Sequence, residues 1–122
     1  MTTPLHQMKA ELFRAMGHPA RIRILELLSE RDHSVGELLR EVDLEASNLS
    51  QQLAVLRRAG LVSARRQGST VYYSLISTQI ADLMTAARAI LTSVLAEQEG
   101  LLATLRSDAR ESRHDLVIKG TR

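Results

Sequence analysis

Apolar side chains return at Leu5, Met8, Leu12, Phe13 and Met16, the three-to-four-residue step of a helix with one buried stripe. Gly17 closes that pattern, and Pro19 suits the opening turn of a second helix. Over 20–30 this second helix places Ile22, Leu25, Leu27 and Leu28 inward, with Arg21, Arg23 and Glu26 facing out. Asp32-His33-Ser34 breaks the period. Ser34 with Glu37 three residues later has the spacing of a capping box, which predicts a short helix from Val35 to about Val42.

After a brief turn at 43–46, a fourth helix is predicted from Ser47 to Ala59, closed by Gly60. A helix, a short turn and a second helix make a helix-turn-helix. Advancing about 100° per residue from Leu53 brings Leu49, Leu53 and Leu56 together on the buried side. Ser47, Asn48, Gln51, Val55 and Arg58 fall on the opposite side. Beyond Gly60, the stretches Leu61–Arg66 and Thr70–Leu75 flank Gln67-Gly68-Ser69 and read as a β-hairpin. A basic hairpin directly after such a helix is a wing. The fold class is therefore mainly α with a small β-hairpin, a winged helix-turn-helix in the order four helices, two strands and a fifth helix.

That fifth helix is predicted from about Thr78 to Arg106. Its apolar residues include Ile80, Leu83, Met84, Ala87, Ile90, Leu91, Val94 and Leu95. At roughly 40 Å it is longer than a domain of this size can cover, so its spare apolar face calls for a partner. A second copy is the simplest one. The first helix is expected alongside, giving a homodimer through Leu5, Met8, Leu12, Ile80, Leu83, Met84, Ala87, Leu91 and Val94. Gly100 is expected to kink or end the helix. Residues 1–106 then form one DNA-binding and dimerisation domain, with 107–122, polar and mostly unpatterned, a flexible C-terminal tail.

Charge sharpens the picture. From Ala46 to Ala81 there is no Asp or Glu, but Arg57, Arg58, Arg65 and Arg66 all occur there, while acids outnumber bases elsewhere. A basic stretch of this kind suits a polyanion. The outer side of the fourth helix is small and hydrogen-bonding at its start and basic at its end, matched to base edges and phosphates. An ordinary solvated helix face would usually carry Glu or Asp. At the hairpin tip, Arg65, Arg66, Gln67, Ser69 and Thr70 suit phosphate or minor-groove contact.

Composition removes other classes. With no cysteine, disulfides, thiol redox sensing and thiolate metal sites are excluded. No uninterrupted apolar run of about 18 residues occurs, which predicts no membrane-spanning segment. Lys9 and Glu11 interrupt the stretch a signal peptide would need, so the expected location is cytoplasmic. No phosphate-binding glycine loop, His-Glu-x-x-His or Gly-x-Ser-x-Gly turn is found, so the chain is not read as an enzyme.

At this point the sequence resembles the ArsR-type (ArsR/SmtB, arsenic-repressor) family of bacterial regulators. The resemblance rests on Gly17-His-Pro-Ala-Arg-Ile-Arg-Ile-Leu25, Ser34-Val-Gly-Glu-Leu38, Ser47-Asn-Leu-Ser-Gln-Gln-Leu53, Leu56-Arg-Arg-Ala-Gly-Leu-Val62, Arg65-Arg-Gln-Gly68 and Val71-Tyr-Tyr-Ser-Leu75. These stand in the family order and spacing over roughly residues 5 to 105. The resemblance implies a dimeric repressor whose recognition helices enter successive major grooves of a pseudo-palindromic double-stranded operator. It implies that Ser47, Ser50 and Gln51 face the DNA, where relatives commonly carry His in place of Gln51. Arg57, Arg58, Arg65 and Arg66 would neutralise phosphates.

The departures concern the signal. Relatives that bind metals through cysteines at the start of the third helix have them where this chain has Ser34 and Gly36. Others use last-helix ligands at positions that here read Ser77, Gln79, Ile90 and Ser93. Neither set ligates a metal, so no metal and no cofactor is expected, and an unknown small-molecule effector stays open. His18 is read as structural, in the His-Pro helix start. His33, beside Asp32 and Glu30, is read as a surface residue able to titrate or to bind a metal weakly, and His6 and His114 lie near the ends. Two alternatives remain: a winged-helix module that binds protein instead of DNA, and a repressor sensing metal through an unconventional His and carboxylate site.

Overall fold

A computed structural model describes residues 2–119. Its elements are α1 (Leu5–Met16), α2 (Pro19–Glu30), β1 (His33–Ser34), α3 (Val35–Glu41), α4 (Ala46–Arg58), β2 (Val62–Gln67), β3 (Thr70–Leu75) and α5 (Thr78–Lys119). The strands form an antiparallel sheet in the order β1-β3-β2. The helical order and the hairpin follow the periodicity of the sequence; β1 is an addition to it.

Local chemistry accounts for the boundaries. At α2, the His18 imidazole Nδ1 accepts a hydrogen bond from the Ala20 amide at 3.1 Å, with Pro19 as the first helical residue. Nδ1 is then the acceptor, and the ring proton sits on Nε2. At α3, the Glu37 amide donates to Ser34 Oγ at 3.1 Å and the Ser34 amide donates to Glu37 Oε1 at 3.0 Å. This is the reciprocal capping box that the Ser-x-x-Glu spacing announces. The hairpin turns on Gly68 and Ser69 alone, since Gln67 pairs with Thr70. Gly68 holds φ at +65° and Gly60, ending α4, holds +76°, both in the left-handed region that side-chain-bearing residues avoid.

The chain divides into two units, one up to Met84 and one from Thr85 onward. The first has a core of Ile24 and Leu25 from α2, Leu38 from α3, Leu49, Leu53 and Leu56 from α4, and Val62 from β2. Leu44 and Leu12 pack on its margin, as do Ile80, Leu83 and Met84 from the start of α5. In the second unit, each described side chain is exposed, including Ile90, Leu91, Val94 and Leu95.

Two expectations are corrected. The helix does not stop at Arg106 or at Gly100 but continues as helical backbone to Lys119; residues 120–122 lie outside the described residues. A lone glycine costs a helix only about 1 kcal/mol, and no proline follows to break the hydrogen-bond ladder. His33 is not a surface residue: it is 2% exposed on β1, opposite Tyr73, with Nδ1 bonded to the Arg31 carbonyl at 2.8 Å. No unbroken apolar run of about 18 residues occurs in α5, yet by length and composition alone Thr78–Asp108 is long and apolar enough to cross a membrane, with a mean hydropathy of 1.2 in its most apolar window. Asp82 and Arg88 interrupt its apolar runs, which hides this from a search for unbroken ones.

Candidate nucleic-acid interface

Three leucines fix the orientation of α4. Leu49, Leu53 and Leu56 are 0–2% exposed, so the helix can present only its opposite side to solvent. On that side Ser47, Asn48, Gln51 and Arg58 are exposed, and Ser50 and Arg57 are exposed on its flank. Val55, assigned to the outer side by the helical wheel, is half-buried. The helix carries no acid in its first turn and two arginines in its last. The β2–β3 hairpin contributes Arg65, Arg66, Gln67, Ser69 and Thr70, all exposed. All eleven residues assigned to DNA contact therefore lie at the surface.

The arginines are not equivalent. Arg65 Nη1 donates to Asp32 Oδ2 at 2.7 Å and to Ser74 Oγ at 3.1 Å, and its guanidinium lies 5.1 Å from the Tyr72 ring centre. Hydrogen bonds from Arg65 and Ser74 hold the Asp32 carboxyl below the usual carboxylate range. The acid-free stretch of sequence is thus not acid-free in space, because Asp32 arrives from the α2–β1 turn. The ion pairs among the described residues are Arg23–Glu26, Arg31–Glu37 and Arg65–Asp32. Among the described residues no carboxylate pairs with Arg57, Arg58 or Arg66.

A second connection escapes sequence reasoning. Arg21 of α2 donates through Nε to the Ala15 carbonyl at 2.6 Å and through Nη1 to Gln52 Oε1 at 2.9 Å. Gln52 Nε2 in turn donates to Asn48 Oδ1 at 2.9 Å. The four-residue spacing of Asn48 and Gln52 is legible as a helix-surface pair. Nothing in the sequence places Arg21 beside them.

The residues assigned to dimer contact separate into two groups. Leu12, Ile80, Leu83 and Met84 are half-buried and pack on the core of their own chain. Leu5, Met8, Ala87, Leu91 and Val94 are exposed, Leu5 and Leu91 by 65% and 59%. Those four residues thus have cover within their own chain. Periodicity marks an apolar stripe without saying which neighbour covers it.

Metal chemistry has little to work with here. Ser34, where cysteine-bearing relatives place a ligand, is buried and its hydroxyl is occupied as the α3 cap. His33 is buried with Nδ1 engaged, and His6 is exposed on α1. The side chain of His114 lies outside the described residues. Among the described residues no group of three or more His, Asp and Glu side chains is placed to hold a metal ion.

Comparison with known proteins agrees with this geometry. A family model described as bacterial regulatory protein, arsR family, matches residues 18–64, from the start of α2 into β2. The uncharacterized HTH-type transcriptional regulator Rv0081 of Mycobacterium tuberculosis is 57% identical over 105 residues, covering 85% of this chain and 92% of that protein. Its crystal structure superposes with a TM-score of 0.74 at 58% identity, over 80% of this chain and 98% of that one. A biofilm growth-associated repressor of Agrobacterium fabrum is 41% identical over 81 residues, 66% of this chain and 69% of that protein. The homodimeric winged helix-turn-helix DNA-binding domain Mb0332 of Mycobacterium bovis matches with a TM-score of 0.70 at 26% identity, over 76% of this chain and 86% of that one.

Proposed function

This chain belongs to the arsR family of bacterial regulatory proteins, and from that premise we propose that it is a homodimeric repressor that binds a pseudo-palindromic operator. It is a transcriptional regulator and not an enzyme, as its family and relatives are. The observation that carries the DNA reading is the outer side of α4, held outward by three buried leucines, free of acids and continuous in character with an exposed basic hairpin.

In this reading α4 enters the major groove, where Ser47, Asn48, Ser50 and Gln51 meet base edges. Arg57, Arg58 and Arg66 neutralise phosphates, with Gln67, Ser69 and Thr70 at the wing tip completing the backbone contacts. Arg65 has a mixed role: its bond to Asp32 ties the wing to the α2–β1 turn and dilutes its charge.

The dimer follows from exposed apolar surface. Leu5 and Met8 on α1 and Ala87, Leu91 and Val94 on α5 are covered by a second copy, as the homodimeric state of Mb0332 supports. Lipid is the poorer cover for α5, because Asp82 and Arg88 would each cost about 2.5–3.5 kcal/mol near the middle of a bilayer. A DNA-binding role places the protein in the cytoplasm. The usual cysteine and last-helix metal ligands are replaced, which favours an organic effector, or control by the abundance of the protein or by a partner, over a metal signal.

The test is binding of the purified protein to its own upstream DNA at two salt concentrations, with and without zinc and other divalent metals. Tight binding that falls steeply with salt and ignores metals is the expected result. Release by a metal would overturn the metal-independent reading, and salt-insensitive association would favour a protein-binding module.

A further inference from the structure

Arg21, Gln52 and Asn48 form a directional chain of hydrogen bonds, and that direction limits what Asn48 can recognise. Arg21 begins at the last turn of α1, where its Nε donates to the Ala15 carbonyl at 2.6 Å and its Nη2 to the Arg14 carbonyl at 3.5 Å. Those carbonyls belong to the last turn of a helix, the Arg14 one also accepting from the Gly17 amide at 3.3 Å, and sit at the negative end of its dipole, so they hold a guanidinium well. Two of the guanidinium nitrogens are thereby anchored. The third, Nη1, points at Gln52.

A guanidinium has donors and no acceptor, so the Gln52 amide must turn its oxygen toward Arg21 and its NH2 away. That NH2 donates to Asn48 at 2.9 Å, which forces the Asn48 oxygen inward in the same way. Gln52 is half-buried and Asn48 is exposed, so the polarity is set inside and delivered at the surface. What Asn48 has left to offer outward is Nδ2 with both hydrogens.

We propose that Asn48 reads guanine as a donor of hydrogen bonds to its N7 and O6, and that Arg21 and Gln52 are the positioning residues that set it to do so. This rests on the reading of α4 as the major-groove helix. An asparagine free to turn would make the bidentate contact to adenine, accepting from N6 and donating to N7. Here the accepting oxygen is turned toward Gln52 by the bond it already accepts, so the adenine contact, which needs the oxygen and the NH2 aimed together at one base, is the poorer match, and guanine, with two neighbouring acceptors, is the better one. Arg21 also links the end of α1 to the base-reading side of α4, so the orientation of the Asn48 amide is fixed from outside the recognition helix.

The experiment is selection of full-length protein against a library of randomised DNA duplexes, sequenced for the wild type and for Asn48→Ala, Gln52→Met and Gln52→Glu. The wild type is expected to prefer guanine at one position in each half-site, and Asn48→Ala to flatten that position only. Gln52→Met frees the Asn48 amide and is expected to move the preference there from guanine toward adenine by about tenfold, within the range of one bidentate base contact. Gln52→Glu keeps the Arg21 contact but has no hydrogen to give Asn48, so it gives the same shift even if the methionine variant folds poorly. A preference that stays on guanine in both Gln52 variants overturns the relay while leaving Asn48 as a base contact. An unchanged base profile in Asn48→Ala removes Asn48 from recognition altogether. Wild-type protein that enriches no sequence overturns the DNA reading itself, and this inference with it.

Discussion

Leu53 and Leu91 are the same residue in the same kind of element, each set in a helical apolar repeat, yet one is 2% exposed and the other 59%. Leu53 sits in α4 against residues of α2, α3 and β2 that the chain itself supplies. Leu91 belongs to the second unit, in which no described side chain is buried. The pattern that predicts a helix is identical in the two regions. What differs is whether the partner surface is encoded in the same chain or in another, and only the first region is a complete core by itself.

That contrast can be broken most forcefully at Leu53. Leu53→Ala should lower stability by about 2–5 kcal/mol, read from urea unfolding, because it leaves a cavity among tightly packed leucines. Leu91→Ala should change the unfolding of the isolated subunit far less, within about 0.5 kcal/mol, since an exposed side chain has little cover to lose. Equal effects would mean that the two regions are buried alike in the unassembled chain.

Charging the second region tests its partner. Leu91→Glu combined with Val94→Glu should convert the sedimenting species from dimer to monomer with helicity retained. Operator affinity should then drop by about 100-fold or more, since half-site binding gives up the contacts of one subunit. A monomer that still binds tightly would contradict the two-fold scheme.

A smaller effect separates the wing arginines. Arg66→Ala should flatten the dependence of log affinity on log salt by about 1 for each phosphate that is no longer neutralised. Arg65→Ala should flatten it less, because Asp32 already pairs with that guanidinium. Identical slopes for the two variants would show that Arg65 leaves Asp32 when DNA binds.

The smallest expected effect belongs to the α3 cap. The Ser34 amide and the Arg31 guanidinium bond to the Glu37 carboxylate and lower its pKa from 4.5 to about 2. The ionised form is therefore favoured by folding, and its contribution is present in full above pH 4.5 and is lost as pH falls toward 2. Glu37→Gln should melt slightly earlier than the wild type at pH 7, with the difference closing across that acid range. A gap that persists at the acid end of that range would place the effect in packing and not in charge.

Much of the site is legible in the sequence. Ser47, Asn48 and Gln51 fall on the outer side of α4 because Leu49, Leu53 and Leu56 recur at helical spacing, and a repeat on one side defines the other; Ser50, on the flank of that side, comes from the family resemblance. The Ser34 cap and the Gly68 turn are legible for a related reason: both are settled by neighbours within three or four residues. The end of α5 is not, because a polar composition suggests the end of a helix even where no proline occurs to break one.

By itself, then, the sequence determined the helices up to their caps, the hairpin, and the acid-free stretch that marks α4 and the wing. The tertiary structure alone decided that His33 joins a strand against Tyr73 and is buried, that Asp32 crosses 33 residues to hold Arg65, and that Arg21 crosses 31 to orient Gln52. It also assigned Ile80, Leu83 and Met84 to the core of their own chain. The reason is range. Helical periods, caps and tight turns are set by bonds between near neighbours, whereas these contacts depend on which distant segments the folded core brings together.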